Sequence, residues 1–242
     1  MIQFSDTTGK SGLIQECEMI LFGDSGYGQI SSNPNRLNYF TNLLNQSMVK
    51  IVGAIYTCDG KWQFDDSNLT GATVATVSLI AGTNTYTLPL SYLTINRVEI
   101  MGTDGIFKKL EQLDTSDITV ALSEYEKDQA PNKYDLDGDN LILYGTPQTT
   151  FNTLTNGLKI YYTREPYYFI NTDTIKTPGF SPLHHRLVAL LASLDYAMNR
   201  MLPQTPMLKE QSDMMMVDMI QYYSVRDKDT SSEFKPIIIN YR

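Results

Sequence analysis

Tyr134-Asp135-Leu136-Asp137-Gly138-Asp139-Asn140-Leu141-Ile142-Leu143-Tyr144 reads as two short strands joined by a tight turn. Asp137-Gly138 and Asp139-Asn140 are residues that accept φ > 0, which the favoured hairpin turns require. Gly145-Thr146-Pro147 stops the second strand, because proline cannot donate to a sheet ladder. After a polar loop, Leu158-Lys159-Ile160-Tyr161-Tyr162-Thr163 alternates with period two, so Leu158, Ile160 and Tyr162 share one face. Glu165-Pro166 ends it. The stretch predicts a three-strand antiparallel unit with helical sequence before and after.

Working upstream, Ala75 to Leu79 and Asn84 to Leu88 alternate, and Ala81-Gly82-Thr83 between them suits a hairpin turn. Asn96 to Ile100 predicts a half-buried strand with Val98 and Ile100 inward and Arg97 and Glu99 outward. Ile106 to Leu110 predicts a short strand, and Asp114 or Thr115 caps a short helix to about Tyr125. Six to seven strands between 73 and 165 give a sandwich-like module.

Both ends change period. Leu13, Ile14, Cys17, Ile20 and Leu21 predict a helix over 12–22. Asn33 is a good N-cap with Pro34 in the first turn. Leu37, Phe40, Leu44, Met48, Ile51 and Ile55 then step by three or four residues, predicting a helix over 35–56. Ser181-Pro182 opens another, with Leu183, Leu187, Leu190, Leu191, Leu194, Met198 and Met201 as its apolar stripe and Pro203 as its end. A last helix over 206–226 carries Leu208, Met215, Met219 and Tyr222 on one face. The fold class is therefore α+β, with amphipathic helices at both ends flanking a mostly antiparallel, β-sandwich-like module. Helices within 1–62 and 182–226 form one helical part, 63–181 the β-module, and 227–242 a C-terminal extension.

Composition narrows the function. An apolar fraction of 42% is enough for a core, and no apolar run reaches the roughly 20 residues of a membrane span. The start, Met1-Ile2-Gln3-Phe4-Ser5-Asp6, lacks the layout of a signal peptide, and Cys17 and Cys58 read as buried reduced thiols, so synthesis in a cytoplasm is expected. The net charge of -8 comes from the middle: Asp65 to Asp139 holds 13 Asp and Glu against 5 Lys and Arg. Phosphate contacts need the opposite sign, which argues against a nucleic-acid reader there.

Three motifs suggest chemistry and do not support it. Gly23-Asp24-Ser25-Gly26 spells a serine-hydrolase nucleophile motif, yet no histidine precedes it, and His184 and His185 both fall in the first turn of a helix. Asp135-Leu136-Asp137-Gly138-Asp139-Asn140 starts like a calcium loop, but Asn140 and Thr146 stand where an EF-hand needs glycine and glutamate. Adjacent helical histidines point about 100° apart and do not share a metal. Met214-Met215-Met216 reads as soft packing. No catalytic residue, cofactor or metal site is expected, and the chain is not expected to be an enzyme.

The order of features resembles the head-to-tail connector (adaptor) proteins of short-tailed bacteriophages, including ring proteins of crAss-like phages. The matching residues are the Asn-rich helix Arg36 to Ile55, Thr85-Tyr86-Thr87-Leu88-Pro89 followed by Ile95-Asn96-Arg97-Val98, and Pro131 to Leu136 with Leu141-Ile142-Leu143-Tyr144 and Pro147. Ile160 to Pro166 and the helix opened by Ser181-Pro182-Leu183-His184 complete the match over roughly 33–201. The resemblance implies a non-enzymatic virion protein at the head–tail junction. Such a protein forms a ring, commonly of twelve copies, below the portal, contacts other tail or ring proteins, and lines the DNA exit channel without binding DNA specifically. The alternative from the residues alone is a β-sandwich binding module, directed to carbohydrate or a receptor, with exposed Tyr and Trp62 on one face.

The tail Phe234-Lys235-Pro236-Ile237-Ile238-Ile239-Asn240-Tyr241-Arg242 is apolar and β-branched. Such a tail is left exposed, folds back as an edge strand of its own β-module, or adds as a strand to a neighbouring copy or the portal, the last using Phe234, Pro236, Ile237, Ile238, Ile239 and Tyr241 as partner-binding residues. Calorimetry is expected to show no micromolar calcium binding at Asp135, Asp137 and Asp139; a heat signal lost in Asp137→Ala would contradict this.

Overall fold

The computed structural model describes residues 2–60, 62, 74–89, 92–113 and 130–228. These fall into two compact units, one built from the residues up to 62 together with those from Pro166, the other from Val74 to Glu165. The expected helix from Asp114 or Thr115 to Tyr125 and the tail residues 234–242 lie outside the described residues.

The first unit holds four helices: α1 (Leu13–Phe22), α2 (Pro34–Cys58), α3 (His185–Asn199) and α4 (Thr205–Lys228). Asn33 caps α2 as its side chain predicts, accepting from the backbone N–H groups of Asn35 at 3.1 Å and Arg36 at 3.2 Å. The three-and-four spacing of Phe40, Leu44, Met48, Ile51 and Ile55 buries one face of α2 against α3 and α4. Leu13, Ile14 and Cys17 of α1 and Leu187, Val188 and Leu190 of α3 join the same core. Each such side chain contributes about 1.5–3 kcal/mol by leaving water. Cys17 is fully buried, and burial pushes its thiol up to about 12, so it stays a neutral packing residue; Cys58 is only half-buried.

A buried carboxylate holds the turn between α1 and α2. Glu18 is fully buried, and its Oε1 accepts from Ile30 N at 2.8 Å, Ser31 N at 2.7 Å and Ser31 Oγ at 3.0 Å. Within that turn Asp24–Gly26 forms one turn of 3-10 helix with Ser25 exposed. His185 hydrogen-bonds through Nε2 to the Phe180 carbonyl at 2.8 Å and through Nδ1 to the Ile2 backbone. The Gly-Asp-Ser-Gly motif is therefore part of a turn, and His185 is occupied in anchoring the N-terminal segment.

The second unit is two four-stranded sheets packed on one core. The first has the order β1 (Val74–Val77), β8 (Leu158–Arg164), β3 (Tyr92–Met101), β4 (Phe107–Lys109), all antiparallel. The second has the order β2 (Thr85–Thr87), β7 (Asn140–Tyr144), β6 (Lys133–Asp137), β5 (Glu111–Gln112), with only the β5–β6 pair parallel. Val98, Ile100, Leu158, Ile160 and Tyr162 from the first sheet meet Tyr86, Tyr134, Leu141 and Leu143 from the second. The chain is α+β with helices at both ends and two mostly antiparallel, sandwich-like sheets. The β6–β7 hairpin forms where the sequence puts it: Asp137 faces Asn140, and Gly138 takes φ 56° in the two-residue turn.

Several expectations change. The third strand of the opening unit, β8, does not pair with β7; it is the second strand of the other sheet, between β1 and β3. The connection crosses sheets by bonding to the end of β3, with Thr153 Oγ1 donating to the Gly102 carbonyl at 2.9 Å and Thr153 N to Met101 O at 3.2 Å. Gly157 passes so close to the Thr153 carbonyl that a Cβ there would collide with it. The turn at Ala81-Gly82-Thr83 likewise crosses from one sheet to the other instead of closing a hairpin, since β1 pairs with β8 and β2 with β7. Eight strands are described, not six or seven. Glu99 is not outward in water: it is 7% exposed, taking an ion pair from Arg97 and a 3.4 Å hydrogen bond from the Tyr161 hydroxyl.

The helical unit begins again at Pro166, earlier than the 182 expected, because Phe169 and Phe180 pack into its core. The apolar stripe of α3 is shorter than its sequence suggests, with Leu183, Met198 and Met201 exposed. On α4 the buried tyrosine is Tyr223, not Tyr222. Glu18→Ala strips the acceptor from two backbone N–H groups in and near the core, each costing about 1–3 kcal/mol. Chemical denaturation is expected to show a loss of at least ~2 kcal/mol, with Glu18→Gln losing less. Equal stability of the alanine variant and the parent would contradict the assignment.

Candidate interaction surfaces

Three surfaces of the helical unit gather exposed apolar or aromatic side chains. The first is the chain from Pro166 to Phe180. Its core side is pinned by Asn45, whose amide donates to Phe169 O at 2.9 Å and accepts from Phe169 N at 2.8 Å. Phe4 stacks on Phe169 at 5.0 Å, and Phe4 N donates to Lys176 O at 2.7 Å. Lys176 is 9% exposed; its ammonium donates to Tyr168 O at 2.9 Å, pairs with Asp173 at 2.8 Å and lies over the Tyr167 ring at 3.9 Å. Asp173 also accepts from Ile170 N at 2.8 Å. On this tied frame Tyr167, Tyr168, Ile170 and Ile175 are exposed, Ile175 to 80%. The segment is thus preorganised, and its apolar side chains face water.

The second surface is the outer side of α4. Leu208, Met219 and Tyr223 take the core side, while Met207, Met214, Val217 and Val225 are exposed. Met207 and Met214 lie seven residues apart and Val225 eleven further on, so all three fall on one line of the helix. The inner side is seated on His184, which is 8% exposed and whose ring meets Tyr222 at 5.3 Å and Tyr223 at 6.3 Å.

The third is a cleft of about 320 Å³ between the start of α2 and the end of α3, lined by Asn35, Arg36, Tyr39, Tyr196 and Arg200. Arg36 and Tyr39 are one helical turn apart, as are Tyr196 and Arg200, so each helix offers one guanidinium and one ring. Tyr39 and Tyr196 meet edge to face at 6.2 Å, and Asn199 donates to the Tyr39 hydroxyl at 3.3 Å. Arg36 Nη1 donates to the Gln29 carbonyl and side-chain oxygen at 3.1 and 3.0 Å, and Arg200 lies over the Tyr196 ring at 5.8 Å.

Trp62 does not sit on the β-sheets. It is 4% exposed in the helical core, with Tyr56 at 5.6 Å and Tyr223 at 5.9 Å. Among the described residues the strongly exposed tyrosines, Tyr39, Tyr167, Tyr168 and Tyr222, all belong to the helical unit. An aromatic face on the sandwich, which a carbohydrate- or receptor-binding module would need, is thus not formed by these residues. Among the described residues no three His, Cys, Asp or Glu side chains are placed to hold a metal, and no helix is long and apolar enough to cross a membrane. The sequence reading found neither the 166–180 surface nor the Arg36–Arg200 cleft; its own site residues, Phe234, Pro236, Ile237, Ile238, Ile239 and Tyr241, lie outside the described residues.

A helical unit with tied apolar surfaces and a two-sheet unit make up the described chain. The chain matches the SU10 adaptor protein family over residues 26–232 and belongs to that family, whose members are phage head–tail adaptors. This places it in the virion, at the head–tail junction, in tail assembly. No curated protein matches the chain.

Burial holds the His184 imidazole below its ordinary 6.5, against an opposing pull from Asp218. The unfolded chain therefore binds a proton at higher pH than the folded one, so stability is full above about 6.5 and falls as pH drops from there towards the lower folded value. Thermal melts between pH 7.5 and 5 are expected to show this decline, and His184→Gln to flatten it. An unchanged slope in the variant would contradict the role of this histidine.

Proposed function

We propose that the protein forms a closed ring below the portal, joins the head to the tail and surrounds the path of the exiting DNA. The observation that carries this reading is the pair of apolar surfaces on the helical unit, α4 outside and the 166–180 segment, in a chain of the adaptor family. Apolar side chains held on a tied frame cost solvation in the monomer and little ordering on contact, which favours burial against another protein. One such surface meeting a different one on the next copy is a heterologous contact, and closing that rotation gives a ring, with twelve copies as the working number. The portal and further tail or ring proteins are its partners.

The acidic middle of the chain suits a DNA channel. Duplex DNA is immobilised through neutralised phosphates, and a wall poor in Lys and Arg gives no such contact. DNA then passes without specific binding, and no enzymatic step, cofactor or membrane enters. The tail adds a tether: Phe234, Pro236, Ile237, Ile238, Ile239 and Tyr241 dock by strand addition on a neighbouring copy or the portal, delivered by the polar stretch Asp227 to Glu233.

Electron microscopy of the particle is expected to show a closed ring between portal and tail; isolated copies on a fibre tip would overturn the reading. Deleting residues 234–242 is expected to leave the melting temperature nearly unchanged and to abolish ring docking. A truncated chain that docks as well as the full one would remove the tail from assembly.

A further inference from the structure

Arg36 and Arg200 differ from the ion-paired cations of the helical unit, and unlike the exposed Lys10 and Lys209 they share one cleft. Lys50, Lys176 and Arg186 are each paired with a carboxylate: Asp195, Asp173 and Glu16. No carboxylate pairs with Arg36 or Arg200 among the described residues, although both guanidiniums line one cleft. Their surroundings narrow what can enter. Tyr39 and Tyr196 form apolar walls, Asn35 adds an amide, and the volume of about 320 Å³ lies at the small end of the roughly 300–1,000 Å³ of ligand pockets. Two forked donors beside flat rings recognise a small, narrow group carrying carboxylates or phosphates.

The same chain offers such a group. The β6–β7 hairpin ends in Asp137-Gly138-Asp139, and all three residues are exposed. Neither carboxylate has a hydrogen bond or ion pair among the described residues. Gly138 has open space at its Cβ position, so the turn carries side chains only on its flanks. Five residue pairs between β6 and β7, the last of them Asp137 with Asn140, hold the turn rigidly. A tip of two carboxylates flanking a glycine matches a cleft of two guanidiniums between two rings.

We propose that the Arg36–Arg200 cleft of one copy receives the Asp137-Gly138-Asp139 hairpin tip of the next copy. The inference rests on the ring reading above and deepens it by naming a contact between neighbours. The cleft and the tip are different patches of the chain, so in the proposed ring each copy gives its tip to one neighbour and its cleft to the other. The complementarity is local, two carboxylates at the tip against two guanidiniums in the cleft, and such complementarity acts mainly on register. The other chemistry the cleft would accept, a DNA phosphate, is disfavoured by the net charge of -8, which repels a polyanion.

The test uses two full-length variants, Arg36→Glu with Arg200→Glu, and Asp137→Lys with Asp139→Lys. Each is assembled on the portal alone and then mixed in equal amounts, with ring formation read by mass. Either variant alone sets like charges against each other at every junction, and its assembly is expected to fall by more than about tenfold. The equal mixture places opposite charges at both kinds of junction, with copies alternating, and is expected to recover assembly. Recovery also shows that both variants fold. Wild-type-like assembly of either variant alone, or a mixture that fails to recover, overturns the proposal. A wild-type chain that forms no ring on the portal defeats the ring reading itself, so the two failures are distinguishable. Duplex DNA titrated by fluorescence anisotropy at low salt is expected to bind neither wild type nor the arginine variant; binding lost in that variant would assign the cleft to phosphate and overturn the proposal.

Discussion

The two hydrogen bonds between the Asn45 side chain and the backbone of Phe169 decide where the chain re-enters the helical unit. The β-unit is an insertion between α2 and α3, so the helical core closes only if the returning strand is caught and turned into α3. An amide in the middle of α2 does this with one donor and one acceptor, satisfying both polar groups of a backbone whose ring lies in the core. Phe4 stacks on the same ring, and its N–H reaches Lys176, so the N-terminal segment covers the return from the other side. Rigidity of the exposed Tyr167, Tyr168 and Ile170 follows from this bracket. The side chains that make the surface sticky are neighbours of the residue that makes it stiff.

What was legible in the sequence was local. The Asp137 to Asn140 turn, the Asn33 cap and the spacing of Phe40 to Ile55 each state their structure within a few residues, and each forms accordingly. Sheet membership is not local. Ala81-Gly82-Thr83 serves a hairpin or a crossing equally well, and only the partners of β1 and β2, β8 and β7, settle which one forms. The alternation of Leu158, Ile160 and Tyr162 fixed their shared face but carried no information on the strands beside them.

The apolar pattern of α4 shows a second limit. Its helix carries Leu208, Met219 and Tyr223 on one side and Met207, Met214 and Val225 on the other, so periodicity alone does not choose the core side. Reading Tyr222 as buried follows naturally from a stripe that includes Met215 and Met219, and packing against Trp62 with a hydrogen bond from Ser181 N to its hydroxyl selects Tyr223 instead. A helix apolar on two sides is what an assembly protein needs, because one side builds the subunit and the other remains for a neighbour. The same non-locality hid the cleft, since Arg36 with Tyr39 and Arg200 with Tyr196 are ordinary helical pairs until α2 and α3 pack together.

Apolar surfaces and the charged cleft impose different constraints on assembly. Burial of methionine, valine and isoleucine side chains is non-directional and tolerates many alignments, so alone it would favour open or irregular aggregates of an adaptor as readily as closed ones. Paired guanidiniums and carboxylates contribute little net affinity once desolvated, yet they penalise wrong registers strongly. A ring has to repeat one angle at every junction, which makes register the demanding quantity and affinity the easier one. In the proposed ring, a division between apolar patches for attraction and a narrow charged socket for alignment would therefore fit the demands of closure better than either alone.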